Sequence, residues 1–111
     1  MTNYSAGHQA EEIAASYLTA LGYKINELNW RTKYCEIDIV AIKGKTAYLV
    51  EVKSRSSSAY GSGFDYITPK KLKQMKFAAE MWVSHHQWAG DYQLAAIEVE
   101  NEKVTNFLTD L

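Results

Sequence analysis

The stretch that decides the fold is residues 36–53, which read EIDIVAIKGKTAYLVEVK. Two runs rich in Ile, Val and Tyr, over 35–42 and 46–53, lie on either side of a turn at Gly44. This pattern predicts two antiparallel strands joined as a hairpin. The apolar residues are not confined to alternate positions, so both faces of the hairpin should be covered, which predicts a sheet with helices on each side.

The rest of the chain supplies those helices and the remaining strands. Apolar residues spaced three and four apart predict a helix over 5–21. Thr68-Pro69 is a typical helix start, and the second helix should run to about His86. Further strands are predicted over 23–30, 92–99 and 103–108. The resulting order, α-β-β-β-α-β-β, predicts an α/β fold with a mixed sheet, and the length of 111 residues favours a single domain, 1–111.

Composition excludes several classes of protein. With 47% hydrophobic and 23% charged residues, the chain is typical of globular proteins, not disordered ones. No apolar run approaches the roughly 18 residues of a membrane span, and no secretory signal is visible at the N-terminus. A single cysteine, Cys35, excludes an internal disulfide and a cysteine-only zinc site. We therefore expect a cytoplasmic protein with no membrane association.

The net charge of −1 conceals a basic middle third. Residues 31–76 carry ten Lys and Arg against four acids, whereas both flanking segments are acidic. A basic segment is often ordinary solvated surface, and the alternative is a surface that contacts phosphate groups. The candidates for phosphate contact are Arg31, Arg55, Lys70, Lys71, Lys73 and Lys76.

Two acidic residues inside the hairpin carry the chemical signal. With a two-residue loop at Gly44-Lys45, Asp38 lies opposite Glu51, and Glu36 lies opposite Lys53. Two facing carboxylates repel each other unless a cation lies between them, and Mg²⁺ or Mn²⁺ is the natural candidate. The alternative is a cross-strand ladder of salt bridges, which explains the second pair well and the first pair poorly.

Asp38-x(12)-Glu51-x-Lys53 resembles the active-site pattern of the PD-(D/E)xK nucleases. More closely, the chain resembles the bacterial YraN-like family of predicted endonucleases, relatives of the archaeal Holliday junction resolvases. The matching positions are Gly7, Ala10-Glu11-Glu12-Ile13-Ala14, Gly22-Tyr23, Asn29-Trp30-Arg31, Cys35-Glu36-Ile37-Asp38, Val50-Glu51-Val52-Lys53-Ser54-Arg55, Gly61 and Lys71. Ala10 and Cys35 stand where the family usually has glycine. The resemblance implies a restriction-endonuclease-like mixed sheet flanked by helices, and Mg²⁺-dependent nuclease chemistry.

Each acidic or basic residue of the hairpin then has an expected role. Asp38 and Glu51 would hold the metal, with the Val52 carbonyl as a third ligand from the protein. Lys53 would orient the attacking water or neutralise the phosphate in the transition state. Glu36 would anchor Lys53, or alternatively help to hold a second metal.

The first helix contributes one further candidate for the site. Glu11 lies on the flank of its apolar stripe and can reach the site, whereas Glu12 points away from it. The alternative for Glu11 is a carboxylate favoured by the helix dipole near the N-terminus.

Nucleic acid is the expected partner. We expect a Mg²⁺-dependent endonuclease acting on DNA, with branched or junction DNA suggested by the resemblance and RNA not excluded. The loop before the second helix carries Tyr60, Phe64 and Tyr66, which could stack on exposed bases or pack on the domain. The competing hypotheses are a nucleic-acid-binding module with a vestigial acidic site, and a structural protein whose hairpin charges form a ladder.

The second helix carries an apolar stripe besides its core stripe. Phe77, Met81 and Trp88 lie at i, i+4 and i+11, on the side away from the core positions. Three large apolar residues there predict an exposed patch that something covers. We expect a homodimer through this patch, and the alternative is coverage by the acidic C-terminal segment.

Overall fold

A computed structural model describes residues 3–55 and 64–111 of the chain. Tyr60 and Gly61, both named above, lie outside the described residues. The predicted order α-β-β-β-α-β-β and the mixed sheet are confirmed. The helices and strands are α1 Asn3–Ala20, β1 Lys24–Arg31, β2 Glu36–Lys43, β3 Thr46–Arg55, α2 Pro69–His86, β4 Asp91–Glu100 and β5 Lys103–Thr109.

The five strands lie in the sheet in chain order, β1-β2-β3-β4-β5. Neighbouring strands are antiparallel except β3 and β4, which are parallel. A parallel pair needs a crossover, and α2 supplies it between these two strands. Within the described residues, neither helix is long and apolar enough to span a membrane.

Hydrophobic clusters cover both faces of the sheet, as the unbroken apolar runs of the hairpin predict. On one face, α1 packs through Leu18 against Ile39 and Ile97. On the other face, α2 packs through Trp82 against Val40 and Leu49, among other residues. All but Leu49, which is 3% exposed, are at most 1% exposed, so the two clusters together make the sheet the central layer of the molecule.

Both ends of α2 are defined by specific residues. The Thr68 hydroxyl accepts a hydrogen bond from the Lys71 backbone N–H at 3.1 Å, and Pro69 follows it as the first helical residue. At the other end, Gln87 adopts a left-handed conformation with φ of 50° and closes the helix. The second helix therefore begins and ends close to where the sequence predicts.

Trp88 lies past this cap and does not belong to the helical stripe. Its ring centroid is 5.7 Å from that of Trp82, and its indole N–H donates to the Asp91 carbonyl at 2.8 Å. The placement of Trp88 on the outer face of the helix was wrong, because the left-handed residue reverses the chain and turns Trp88 back toward the core. Of the predicted stripe, only Phe77 and Met81 remain on α2.

Candidate functional site

The hairpin register is the predicted one, but the pairing between its strands ends early. Lys43 pairs with Thr46 across the turn, and the last pair of the ladder is Ile39 with Val50. The predicted direct opposition of Asp38 and Glu51 is therefore wrong, because β2 and β3 no longer pair at that point. Instead, the Asp38 side chain accepts the Val52 backbone N–H at 2.8 Å, in place of a strand carbonyl.

The backbone around Asp38 is irregular on the β1 side as well. The ladder from β1 passes from Leu28–Ile39 to Trp30–Ile37, and Asn29 between them has a left-handed φ of 54°. Side-chain alternation breaks at the same place, because Ile37 packs on the α2 side and Ile39 on the α1 side. The backbone irregularity therefore lies at Asp38, which the sequence predicts to be a metal ligand.

Asp38 lies in a strongly acidic environment. Burial raises the pKa of its carboxyl group from 3.8 to about 7, although the hydrogen bond from Val52 N–H acts in the opposite direction. The negative charges of Glu51, Glu11 and Glu36 raise the pKa further. The structure thus brings the four predicted carboxylates into one electrostatic neighbourhood, in which a cation would favour the charged form of Asp38. Glu11 is half-buried and Glu12 is exposed, as their positions on the helix predict.

Glu51 has a cationic partner from α2. The Lys71 ammonium nitrogen lies 2.9 Å from a Glu51 carboxylate oxygen, and both side chains are about one quarter to one third exposed. The lysine predicted to contact phosphate therefore lies against the predicted metal ligand. A positive charge at this carboxylate is compatible with the same position being held by a metal ion in a different state of the protein.

The predicted pair between Glu36 and Lys53 does not form. Glu36 lies opposite Arg31 on β1, and their charged groups approach to 3.9 Å at a well-exposed position. Lys53 instead places its ammonium group 5.4 Å from the centroid of the Tyr66 ring. The reason is again the early end of the β2–β3 ladder, which leaves Glu36 beyond the last pair and facing the other neighbouring strand.

Arg55 lies away from the surface on which the sequence placed it. Its guanidinium forms an ion pair with Glu98 on β4, and its side chain is only 16% exposed. Glu98 is 1% exposed and also accepts hydrogen bonds from the side chains of Thr105 and Asn106. Because parallel pairing places the end of β3 beside the end of β4, Arg55 compensates a buried carboxylate of the sheet.

A cleft of about 860 Å³ lies between the β1–β2 connection and α2. Its lining includes four of the six predicted phosphate contacts, without Arg55 and Lys76, and two of the predicted acidic residues: Arg31, Lys70, Lys71, Lys73, Glu36 and Glu51. Sequence reasoning missed Lys33 and Tyr34, which also line it. The signal was available in Arg31-Thr32-Lys33-Tyr34, a basic and aromatic segment between two strands.

The donor atoms present fit a magnesium ion better than a zinc ion. Over residues 3–55 and 64–111, no three His, Cys, Asp or Glu side chains form a group that could hold a metal. Mg²⁺ is commonly held by one or two carboxylates and retains several waters, so Asp38 and Glu51 suffice as side-chain ligands. The N–H and C=O of one strand residue point to the same edge, so the Val52 carbonyl faces the same edge as the N–H bound by Asp38.

These features define a mixed α/β protein with a half-buried carboxylate at the separation of two strands and a basic cleft beside it. The sequence profile of the Uncharacterised protein family UPF0102 matches residues 10–105, and the chain belongs to this family, which is the YraN family. The predicted family is thereby confirmed, whereas the wider PD-(D/E)xK relationship stays a prediction.

Relatives in distant bacteria share this family name. A UPF0102 protein of Renibacterium salmoninarum is 39% identical over 85 residues, covering 77% of this chain and 72% of the relative. One from Syntrophomonas wolfei is 42% identical over 81 residues, covering 73% and 70%. One from Mycobacterium tuberculosis is 33% identical over 93 residues, covering 80% and 73%. The similarity therefore spans most of each chain and carries no named activity.

Proposed function

We propose that the protein is a Mg²⁺-dependent endonuclease that hydrolyses phosphodiester bonds in DNA, with branched or junction DNA as the form that the family resemblance favours. The observation that carries the proposal is the position of Asp38. Its half-buried carboxylate accepts a hydrogen bond from the Val52 N–H where β2 and β3 separate, and Glu51 beside it opens into a basic cleft. A polyanionic substrate in that cleft would lie next to the two carboxylates that we propose as ligands of a divalent cation.

Asp38, Glu51 and the Val52 carbonyl are the groups that would hold Mg²⁺ or Mn²⁺. When bound, the ion lowers the pKa of a coordinated water and stabilises charge on phosphoryl oxygens. The Val52 N–H fixes the orientation of the Asp38 carboxylate, so this ligand needs little reorganisation on binding. Glu11 adds negative potential to the same neighbourhood.

Two lysines near the proposed site can act on the substrate. Lys53 is half-buried and its ammonium group is held over the Tyr66 ring, which keeps it near the end of β3. From there it can orient a water molecule or neutralise a phosphate oxygen. Lys71 would be available to contact a phosphate oxygen if Glu51 served as a metal ligand, because its ammonium group lies beside that carboxylate.

A cleavage screen tests the proposed activity. Junction, flap, single-stranded and duplex DNA, together with RNA, are incubated with Mn²⁺ or Mg²⁺, and Glu51→Gln is the inactivating variant. Glu12→Gln is the matched control, because it makes the same change of charge at an exposed carboxylate of α1 that points away from the site. Products that require the metal and disappear only in Glu51→Gln support the proposal. Metal-dependent products that persist in Glu51→Gln contradict it.

A second candidate function is a nucleic-acid-binding module with a vestigial acidic site. The ion pair between Lys71 and Glu51 favours it, because a lysine already neutralises one predicted metal ligand. Binding of DNA at full affinity, with no product from any substrate and no uptake of Mn²⁺ in a calorimetric titration, would select this candidate over the nuclease.

Binding of nucleic acid should weaken steeply with salt. Lys70→Glu/Lys73→Glu removes two cations from the cleft, so we expect the slope of log affinity against log salt to become shallower by about 2 and affinity at low salt to fall at least tenfold. Lys76→Glu/Lys103→Glu makes the same change in net charge at exposed positions outside the cleft. Fluorescence anisotropy measures both. Equal losses in the two double variants would show that net charge alone, and not the cleft, attracts DNA.

We also propose that the protein forms a homodimer through the outer face of α2 around the half-buried Met81, with Phe77, 48% exposed, at the border between this face and the cleft. A glutamate at position 81 would be buried in such an interface, so Met81→Glu should sediment as a monomer at concentrations where the wild type is a dimer. Sedimentation velocity at tens of micromolar measures this, with Lys76→Glu as the control. A wild-type protein that sediments as a monomer under these conditions would contradict the proposed homodimer.

A further inference from the structure

The cleft contains two large aromatic side chains that the rest of the chain leaves exposed. Tyr34, in the β1–β2 connection, is 70% exposed, and Phe77, on α2, is 48% exposed. They lie on the two walls of one cleft, because one wall is the strand connection and the other is the helix. An exposed aromatic residue alone is ordinary, but two that line the same basic cleft are a specific arrangement.

Of the aromatic residues predicted to stack on bases, the two that the structure describes are less exposed than Tyr34 and Phe77. Phe64 and Tyr66 are half-buried, with ring centroids 6.2 Å apart. The Tyr66 ring is also covered by Lys53 and Arg55, whose charged groups lie 5.4 and 5.9 Å from its centroid. Among the described residues, the exposed aromatic surface near the site therefore belongs to the cleft and not to Phe64 or Tyr66.

The cleft also carries positive charge that no carboxylate among the described residues neutralises. Arg31 and Lys71 have carboxylate partners. In the part of the chain that the structure describes, Lys33, Lys70 and Lys73 have no carboxylate oxygen within 4.0 Å. These three cations, together with two exposed rings, complement a ligand that has both phosphates and free aromatic faces.

We infer that the cleft binds a single-stranded segment of nucleic acid, with unpaired bases stacked on Tyr34 and Phe77. The three lysines contact the phosphates on either side of those bases, and stacking needs no particular base because every base has a π face. Lys33 lies 5.6 Å from the centroid of the Tyr34 ring, which leaves the opposite face of that ring for a base. This inference rests on the proposed function only for the assignment of the cleft to nucleic acid.

The physical basis of discrimination is the availability of the bases. In a blunt duplex the bases are paired and stacked on one another, so the rings of the cleft gain nothing from them, and only the lysines contribute to binding. A strand with unpaired nucleotides gains the same phosphate contacts and base stacking in addition. The substrate of the adjoining acidic site is then a nucleic acid with a single-stranded part, such as a flap, an overhang or an opened junction.

Equilibrium binding measured in EDTA tests this inference without requiring cleavage. The probes are a labelled oligothymidylate, an abasic strand of equal length and charge, and a blunt duplex, each followed by fluorescence anisotropy. We expect the abasic strand to bind about tenfold more weakly than oligothymidylate. Tyr34→Leu and Phe77→Leu should each lower the affinity for oligothymidylate about tenfold, leave the other two probes unchanged and preserve the salt slope.

Tyr92→Leu is the matched control, since Tyr92 is 38% exposed and lies outside the cleft. Circular dichroism confirms that each variant is folded. Equal affinity for oligothymidylate and the abasic strand, with no loss in either cleft variant, overturns the inference and leaves the proposed nuclease standing. Absence of binding to every probe overturns the proposed function as well. A Phe77→Leu protein that keeps its affinity for DNA but changes from dimer to monomer assigns this residue to a second copy of the chain and overturns the inference.

Discussion

Replacing Asp38 with asparagine is expected to lower Mg²⁺-dependent cleavage at least about a hundredfold. Asparagine has the same shape and keeps an oxygen that can accept the Val52 N–H, so the local backbone should survive. It lacks the negative charge that a divalent ion requires. Single-turnover cleavage rates and a calorimetric titration with Mn²⁺ measure the two losses.

The same substitution should stabilise the metal-free protein at alkaline pH. Because the pKa of Asp38 is about 7 in the folded protein and near 3.8 otherwise, the folded state binds this proton more tightly. The free energy of unfolding of the wild type therefore falls as pH rises from about 4 to about 7 and then levels off. Asp38→Asn removes this loss, which is on the order of 2–4 kcal/mol. Urea unfolding in EDTA at pH 5 and pH 8 measures the difference.

Two controls separate charge from hydrogen bonding. Asp38→Ala leaves the Val52 N–H without its acceptor, so it should be less stable than Asp38→Asn by about 1–3 kcal/mol. Asp91→Asn changes an exposed carboxylate at the start of β4 and should affect neither cleavage nor stability. An Asp38→Asn protein that cleaves at the wild-type rate, or that is several kcal/mol less stable than wild type at pH 8, would show that this carboxylate stabilises the fold and is not a metal ligand.

The elements of the fold were predictable because their signals are local. Gly44 and its neighbours fix the turn, and the pairing of Lys43 with Thr46 then sets the register of the hairpin. Thr68 and Pro69 fix the start of α2 through a hydrogen bond within one turn of helix. These features depend on residues that are close in sequence, so the printed chain contains the information needed to predict them.

The departures from the predicted site arise where backbone geometry or distant pairing decides. The left-handed Asn29 and the separation of β2 from β3 at Asp38 are backbone irregularities that residue types do not specify. Because of them, Glu36 lies beside Arg31 and not beside the predicted partner Lys53. Glu11, Glu36 and Glu51 nevertheless lie close enough to Asp38 to raise its pKa. Periodicity identifies which face a residue occupies, but it does not show where a ladder ends.

The buried partner of Arg55, Glu98, shows why pairing between strands that are distant in sequence could not be predicted. Glu98 is the one carboxylate among the apolar residues 94–99, Leu-Ala-Ala-Ile-Glu-Val, which should have drawn attention to it. Nothing in the sequence says that the end of β3 lies beside the end of β4, because the two are separated by a loop and a helix. Only the parallel register, in which Lys53 pairs with Glu98 and Arg55 with Glu100, brings this cation and carboxylate together.

Replacing Glu98 with alanine is expected to destabilise the protein by about 3–5 kcal/mol. The carboxylate is 1% exposed, forms an ion pair with Arg55 and accepts hydrogen bonds from the Thr105 hydroxyl at 3.1 Å and the Asn106 amide at 2.5 Å. Alanine removes the charge that compensates a guanidinium with little access to water. A loss of this size is a large part of the total stability of a small domain, so urea unfolding at neutral pH should reveal it clearly.

Two further variants identify the ion pair as the cause. Glu80→Ala removes an exposed carboxylate from α2 and should change the free energy of unfolding by no more than about 0.5 kcal/mol. Arg55→Met/Glu98→Leu replaces both charges with apolar side chains, leaves no buried charge to compensate, and should recover most of the stability lost in Glu98→Ala. A double variant as unstable as Glu98→Ala would instead place the loss in the hydrogen bonds to Thr105 and Asn106, because those are the contacts of Glu98 that the apolar pair cannot replace.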